Sequence, residues 1–403
     1  MKIAFVSYHY WPPHFGGELL LSIERFQSLV ERGHEVHVFT SGVSGLPKVE
    51  INGNYIIYRS PVIGKSRFSR GLRRIVFLHW VIAELKKLDF DIIHHGGVGA
   101  LTSRMFWKGI QAINELAMRK GAKTVFVNSL ADSESIPLDF GSSKRNLKYL
   151  TMRNTDALVS VSPAIYAFAK KKFPQKSHLI TNGIRDDIFE VLPTKERETL
   201  RKKTGVNPDD IVFSFLGTVT ERKGFDILAK AFLSFTQENQ KSHLWLIGPS
   251  KDSDSQNFVN GDVKIYIEKL KEYEPRVKFF GRINDRKELA KILGATDVFL
   301  FPTRREGMPL APMEAMAAGV PVIISRIEGV TDLANVDGET GFYIEVGDVS
   351  GLLEAMRKLA NDRGLRERMG KAAHKRAVEH FGWQAHIDKW ERIYSDLVNE
   401  GKS

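Results

Sequence analysis

Residues 301–325 read FPTRREGMPLAPMEAMAAGVPVIIS. They close a strand, turn through a loop, run along a helix and enter a second strand. The apolar run DVFLFP (297–302) and the run VPVIIS (320–325) are the strands. Both are apolar on each face, as in a parallel sheet covered on both sides. The loop between them holds Glu306 and Gly307. A helix opens near Pro309 and Leu310, since proline suits a first helical turn, and Gly319 ends it. Glu314 then lies about one turn inside the helix, eight positions after Glu306, so both carboxylates can face one crevice. The backbone amides around Gly307–Leu310 would face an anion at the helix start. Carboxylates accept hydrogen bonds from sugar and ribose hydroxyls. One short segment can therefore hold sugar, diphosphate and ribose together.

The same alternation of strand and helix extends in both directions. The second half adds IVFSFLG (211–217), a helix over 225–235, HLWLIG (243–248) and RVKFFG (276–281). The first half has KIAFVSY (2–8), EVHVFTS (35–41), DFDIIHH (89–95), KTVFVNS (123–129) and ALVSVSP (157–163), with helical patterns between them. This is the signature of doubly wound α/β domains. Two domains of similar size are expected, 1–183 and 184–382, joined near the charged stretch 183–208. The tail after Gly364 predicts two helices, the last over about 383–399.

Composition narrows the function classes. The chain has 403 residues and no cysteine, which excludes disulfide frameworks, thiolate metal sites and cysteine nucleophiles. Hydrophobic residues make up 42% and charged residues 27%, so the chain is globular. No run approaches a membrane span, and the N-terminus lacks a secretory pattern. A cytoplasmic protein is expected. The net charge is +11. Residues 1–185 carry 26 Lys+Arg against 13 Asp+Glu, so the whole excess sits in the first half. That asymmetry calls for an anionic partner. The segment 66–88 places Phe68, Leu72, Ile75, Val76, Ile82 and Leu85 among Arg67, Arg70, Arg73, Arg74, Lys86 and Lys87. Two readings stay open for it: a helix on the anionic inner face of a membrane, or a core-packed helix with a solvated basic face. No basic, aromatic-interleaved stretch points to nucleic acid.

Three further constellations carry chemistry. After the first strand, Gly16 and Gly17 precede a helix, which suits either a phosphate or sugar contact or a tight βα turn. The loop LGTVTERKGFD (216–226) places Arg222 and Lys223 at a strand tip, where two cations can hold a diphosphate or simply face water. His94 and His95 end a strand, and either line a site or stand in the core. The dinucleotide fingerprint G-x-G-x-x-G is absent from the first loop, and the P-loop motif is absent throughout.

The block EGMPLAPMEAMAAGVPVI (306–323) resembles the E-x7-E signature of glycosyltransferase family 4, retaining enzymes of the GT-B fold. The Gly16-Gly17 loop, ITNGI (180–184), FLGTVTERKGFD (215–226) and the Glu328-Gly329-Val330 segment follow in the family's order. The resemblance implies two Rossmann-like doubly wound domains facing across a cleft. The first would bind a glycan or lipid-linked acceptor and the second a nucleotide-diphosphate sugar such as a UDP-sugar. It implies that Glu314 holds ribose, that Glu306 contacts the donor sugar, and that Lys223 with the Gly307, Met308, Pro309 and Leu310 backbone holds the diphosphate. Gly17 would approach the phosphate or sugar, and Arg282 would line the base pocket. The last helix, 383–403, would return to the first domain. No metal or other cofactor is implied, because cations and a helix N-terminus neutralise the leaving diphosphate. Retention would follow from front-face displacement. Two departures stand out. Thr218 occupies a position where the family often has arginine, so Arg222 or Arg304 would supply that charge. Asn128 stands where many members have a histidine beside the reacting sugar. Two rival readings remain: an epimerase of the same fold and a non-catalytic nucleotide-sugar binder.

Overall fold

The computed structural model describes residues 1–10, 17–62, 69–96, 104–128, 147–249 and 261–400. It divides into two compact units, residues 1–182 with 384–403, and residues 183–383. The first unit holds strands β1 (Lys2–Val6), β2 (Glu35–Thr40), β3 (Val49–Asn52), β4 (Tyr55–Arg59), β5 (Ile92–His95), β6 (Lys123–Asn128), β7 (Ala157–Ser160) and β8 (Ser177–Leu179). Helices α1 (Gly17–Glu31), α2 (Ser69–Lys87), α3 (Arg104–Arg119), α4 (Leu147–Arg153) and α5 (Pro163–Lys172) alternate with them. The eight strands run in the order β3-β4-β2-β1-β5-β6-β7-β8. All pairings are parallel except that of β3 with β4. Ile3, Ala4 and Phe5 of the central strand are wholly buried, as a doubly covered parallel strand requires.

The second unit opens with α6 (Thr194–Lys203), followed by β9 (Ile211–Leu216), α7 (Phe225–Glu238), β10 (Ser242–Ile247), α8 (Gly261–Lys271) and β11 (Val277–Gly281). It continues with α9 (Arg286–Gly294), β12 (Val298–Phe301), α10 (Leu310–Ala317), β13 (Val322–Ser325) and β14 (Gly341–Ile344). It ends with α11 (Val349–Asn361) and α12 (Arg363–Phe381), before α13 (Trp383–Glu400). The order of its six-stranded parallel sheet is β11-β10-β9-β12-β13-β14. Strand order reverses between β9 and β12. In open α/β sheets ligands bind at the carboxyl tips of such a pair.

The stretch 183–208 is not a linker. It belongs to the second unit and includes α6, whose sequence TKERETLRKK shows no apolar stripe. An ion network holds this helix in place. Arg201 Nη1 donates to Asp297 Oδ2 at 2.8 Å, Arg197 Nη2 to Oδ1 at 2.6 Å, and the Val212 amide to Oδ2 at 2.7 Å. Arg201 also donates to the Asp210 carbonyl at 2.5 Å. Burial pushes the Asp297 carboxyl up, yet the two arginines hold it below the ordinary value.

Helix α2 buries Phe77, Leu78, Val81 and Leu85, whereas Leu72 is exposed. Of the apolar positions read from sequence, Leu85 and the partly buried Ile82 join this core face, Leu72 does not, and Phe68 lies outside the described residues; the described part of the helix packs into the first unit. No described helix is long and apolar enough to cross a membrane.

Helix α13 packs on the first unit. Ile387, Trp390 and Tyr394 are wholly buried, and the Arg25 guanidinium lies 4.2 Å from the Trp390 ring centroid. Glu391 receives Arg32 Nη1 at 2.7 Å and pairs with His34 Nε2 at 2.8 Å.

Removing the Asp297 charge strands Arg201 in the interior. Asp297→Asn is expected to destabilise the protein by about 3–5 kcal/mol in denaturant unfolding. The folded carboxyl titrates below its unfolded value, so its contribution is complete above the unfolded pKa of about 4 and disappears as pH falls through the folded one. The difference between Asp297→Asn and the parent should therefore shrink on acidification; a difference independent of pH would contradict the network.

Candidate functional site

The tips of β9 and β12 are joined through their loops. Gly224 precedes α7 with φ 71°, a left-handed conformation that favours glycine. A Cβ added there would lie 1.7 Å from the Pro302 carbonyl oxygen, so only glycine lets the two backbones touch. Two hydrogen bonds extend the contact. The Arg304 amide donates to the Arg222 carbonyl at 2.8 Å, and Thr303 Oγ1 donates to the same oxygen at 3.2 Å.

This contact brings charged side chains together. Glu306 Oε1 accepts from Lys223 Nζ at 2.6 Å and from Arg222 Nη1 at 3.4 Å, and at 3.0 Å it shares the single Thr303 hydroxyl proton with the Arg222 carbonyl. Arg222 Nη1 also donates to the Arg305 carbonyl at 3.0 Å. The Lys223 ammonium sits 5.1 Å from the Phe301 ring centroid. The Glu306 side chain is only 5% exposed, whereas that of Arg222 is 33% exposed. All three donors reach one oxygen, and Glu306 Oε2 takes none among the described residues. Two cations face one carboxylate, so the cluster carries a net positive charge and suits an anion.

Helix α10 starts next to this cluster in sequence. Pro309 is its N-cap residue, and no side chain caps the first turn. Of positions 307–310, Gly307, Met308 and Leu310 carry a backbone N–H, whereas Pro309, included in the sequence reading, has none. Gly307, Met308 and Pro309 are buried, and Leu310 is partly so. Glu314 is the fifth residue of the helix and is buried. Arg286 Nη1 donates to Glu314 Oε1 at 2.7 Å, with its guanidinium 4.6 Å from the Phe189 ring centroid. Glu314 Oε2 takes no donor among the described residues. Sequence reading missed Arg286. Its signal is Asp285, whose carboxylate accepts from the Lys287 and Glu288 amides and so makes Arg286 the first residue of α9.

The remaining expectations divide. Thr218 is partly buried in the β9–α7 loop, and Arg282 follows β11 directly. Gly17 is the exposed first residue of α1, and Gly16 lies outside the described residues. Asn128 ends β6 opposite Ser160 of β7, and its side chain lies outside the described residues. His94 and His95 require correction: both are core residues. His94 is wholly buried, with its Nδ1 2.6 Å from the Tyr394 hydroxyl and its ring against Phe5, Phe26 and Trp390. His95 Nε2 donates to Asn114 Oδ1 at 2.9 Å. Burial pushes the His94 imidazole well below its ordinary value and that of His95 down to about 4, the latter partly opposed by the bond to Asn114. Among the described residues no group of three or more His, Asp or Glu is placed to hold a metal ion.

Two family models match the chain: Glycosyl transferases group 1 over residues 196–376 and Glycosyltransferase Family 4 over residues 24–188. The chain belongs to glycosyltransferase family 4. This glycosyltransferase is 24% identical over 414 residues to the N-acetyl-alpha-D-glucosaminyl L-malate synthase of Bacillus anthracis, across 100% of this chain and 99% of that protein. It is 26% identical over 330 residues to the UDP-Gal:alpha-D-GlcNAc-diphosphoundecaprenol alpha-1,3-galactosyltransferase of Escherichia coli, across 78% of this chain and 77% of that one. Among solved structures, the sucrose-phosphate synthase of Thermosynechococcus elongatus superposes with a TM-score of 0.80 at 21% identity, covering 99% of both chains. Each unit of the glycosyltransferase is a doubly wound domain of the GT-B fold, as its sequence resemblance implied.

A core role for the histidines has a direct check. In an NMR titration the His95 imidazole should remain neutral through pH 5 and titrate near 4. A midpoint near 6.5, moving when a nucleotide sugar is added, would return His95 to the list of sugar-facing groups.

Proposed function

We propose that this glycosyltransferase moves a sugar from a nucleotide-diphosphate donor, a UDP-sugar first among them, to a glycan or lipid-linked acceptor, with retention at the anomeric carbon. Cell-envelope or polysaccharide synthesis is the setting. The observation that carries the reading is the net positive cluster of Lys223, Arg222 and Glu306 at the tips of β9 and β12, beside the uncapped start of α10. In this reading Lys223 and the α10 amides receive the diphosphate, and Arg222 adds long-range charge. Glu306 Oε2 accepts from a donor-sugar hydroxyl, and Glu314 Oε2 accepts from the ribose. Each glutamate keeps a cation on its other oxygen, which fixes its orientation. The E. coli relative, whose name gives a UDP-sugar donor and a lipid diphosphate acceptor, supports the choice of substrates. So does the basic character of residues 1–185.

The bond from the anomeric carbon to the diphosphate oxygen breaks. The acceptor hydroxyl oxygen bonds that carbon on the same face, and its proton passes to the departing phosphate oxygen. Lys223 and the helix start stabilise the charge that develops there, so this reading needs no metal ion.

A panel of UDP-, GDP- and ADP-sugars, followed by nucleoside diphosphate release, tests the proposal, with the product anomer assigned by NMR. One donor should turn over with retention. Lys223→Ala should lower kcat by about 10²- to 10³-fold. Glu314→Gln should weaken nucleoside diphosphate binding by about ten- to a hundredfold. Tight binding with no release from any donor would favour a non-catalytic binder, and an inverted product would remove the front-face step.

A further inference from the structure

We infer that Arg304 is a positioning residue which holds Lys223 on Glu306, rather than a cation that touches the donor; this rests on the reading of Lys223 given above. Its geometry is a fork clamped across two loops. Nη1 and Nη2 donate to Asp226 Oδ1 and Oδ2 at 2.6 and 2.8 Å, and Nη1 also reaches the Glu221 carbonyl at 2.5 Å. The Arg304 amide binds the Arg222 carbonyl at 2.8 Å. The anchor points are therefore Glu221, Arg222 and Asp226. They bracket Lys223 on both sides along the chain.

Each anchor restrains a different freedom. The Glu221 and Arg222 carbonyls fix the turn that leads into Lys223. Asp226 lies in the first turn of α7 and fixes the helix start that follows it. Its carboxylate is also favoured by the N-terminal end of the helix. Burial pushes the Asp226 carboxyl up, but the Arg304 hydrogen bond and charge hold it below the ordinary value. The fork is thus matched to an ionised carboxylate, the arrangement that bidentate arginine serves and lysine does not. Only three residues separate Glu306 from Pro302, whose carbonyl touches Gly224, so the second loop has little slack. With the Arg304 clamp closed, the ammonium and carboxylate meet at 2.6 Å. With it open, the β9–α7 loop keeps its glycine contact, the Thr303 and Arg304 bonds to the Arg222 carbonyl, the Arg222 guanidinium bonds to Arg305 and Glu306, and the Lys223 pair itself. Thr218 leaves its loop without the cation that the family resemblance would place there, and the Arg304 guanidinium does not replace it, because its two terminal nitrogens are engaged with Asp226 and Glu221.

Arg304→Ala and the conservative Arg304→Lys distinguish the roles. The first measurement needs no substrate: competitive acetylation by acetic anhydride, quantified by mass spectrometry at Lys223 with Lys230 and Lys241 as internal references. Selective acceleration at Lys223 is expected in both variants. Unchanged Lys223 labelling, or equal acceleration at all three lysines, would overturn the positioning role. The second is nucleoside diphosphate release from UDP-glucose, UDP-N-acetylglucosamine, GDP-mannose and ADP-glucose. Arg304→Lys should lower kcat by about 10²-fold with little change in KM, as expected when a reacting group is misplaced. Adding Arg304→Ala to Lys223→Ala should cost nothing beyond Lys223→Ala alone. Losses that multiply would mean that Arg304 meets the donor itself. Full release by Lys223→Ala would instead remove the reading of Lys223, and the acetylation result would still say whether the clamp holds it.

Discussion

The backbone contact between Gly224 and the Pro302 carbonyl sets the geometry of the second unit's strand tips. It exists because a left-handed glycine has no Cβ to hold the loops apart. Around it, Lys223, Arg222 and Thr303 converge on one oxygen of a nearly buried carboxylate. Burying Glu306 alone would cost several kcal/mol, and its partners offset that cost only when held at hydrogen-bonding distance. Rigid loops are therefore a condition for the cluster and not an accessory to it. The excess cation that remains is the feature that suits a diphosphate.

The first unit uses its charged and polar residues differently. His94 and His95 stand at the tip of β5, where a ligand-facing role was plausible, yet they serve as neutral packing partners. One meets Tyr394 of α13 and the other Asn114 of α3. The chain returns to this unit at α13, fastened by buried aromatics inside and by the Arg32, His34 and Glu391 cluster at the rim. Polar groups here stabilise the docking of a helix drawn from the far end of the sequence.

How much of this was legible depended on whether the deciding contacts were local. The loop and helix of residues 301–325 could be read because strand, Gly307, Pro309, Glu314 and Gly319 follow one another within a single βαβ turn. Gly224 with Arg222 and Lys223 could be placed at a strand tip for the same reason. Helix α6 was opaque because its anchor, Asp297, is about a hundred residues away and its own faces are all polar. Arg286 was missed because Glu314 lies 28 positions further on, across another strand. The choice left open for His94 turns on the largest separation, 300 positions to Tyr394. The short hairpin of β3 and β4, and β14, carry too few residues for periodicity to show.

A crystal structure of the protein with whichever of UDP, GDP or ADP binds best tests the central claim most directly. A phosphate oxygen should stand within about 3.2 Å of Lys223 Nζ, with Glu314 on a ribose hydroxyl. An ordered nucleotide bound elsewhere, with Lys223 and Glu306 still paired as they are without it, would contradict the account.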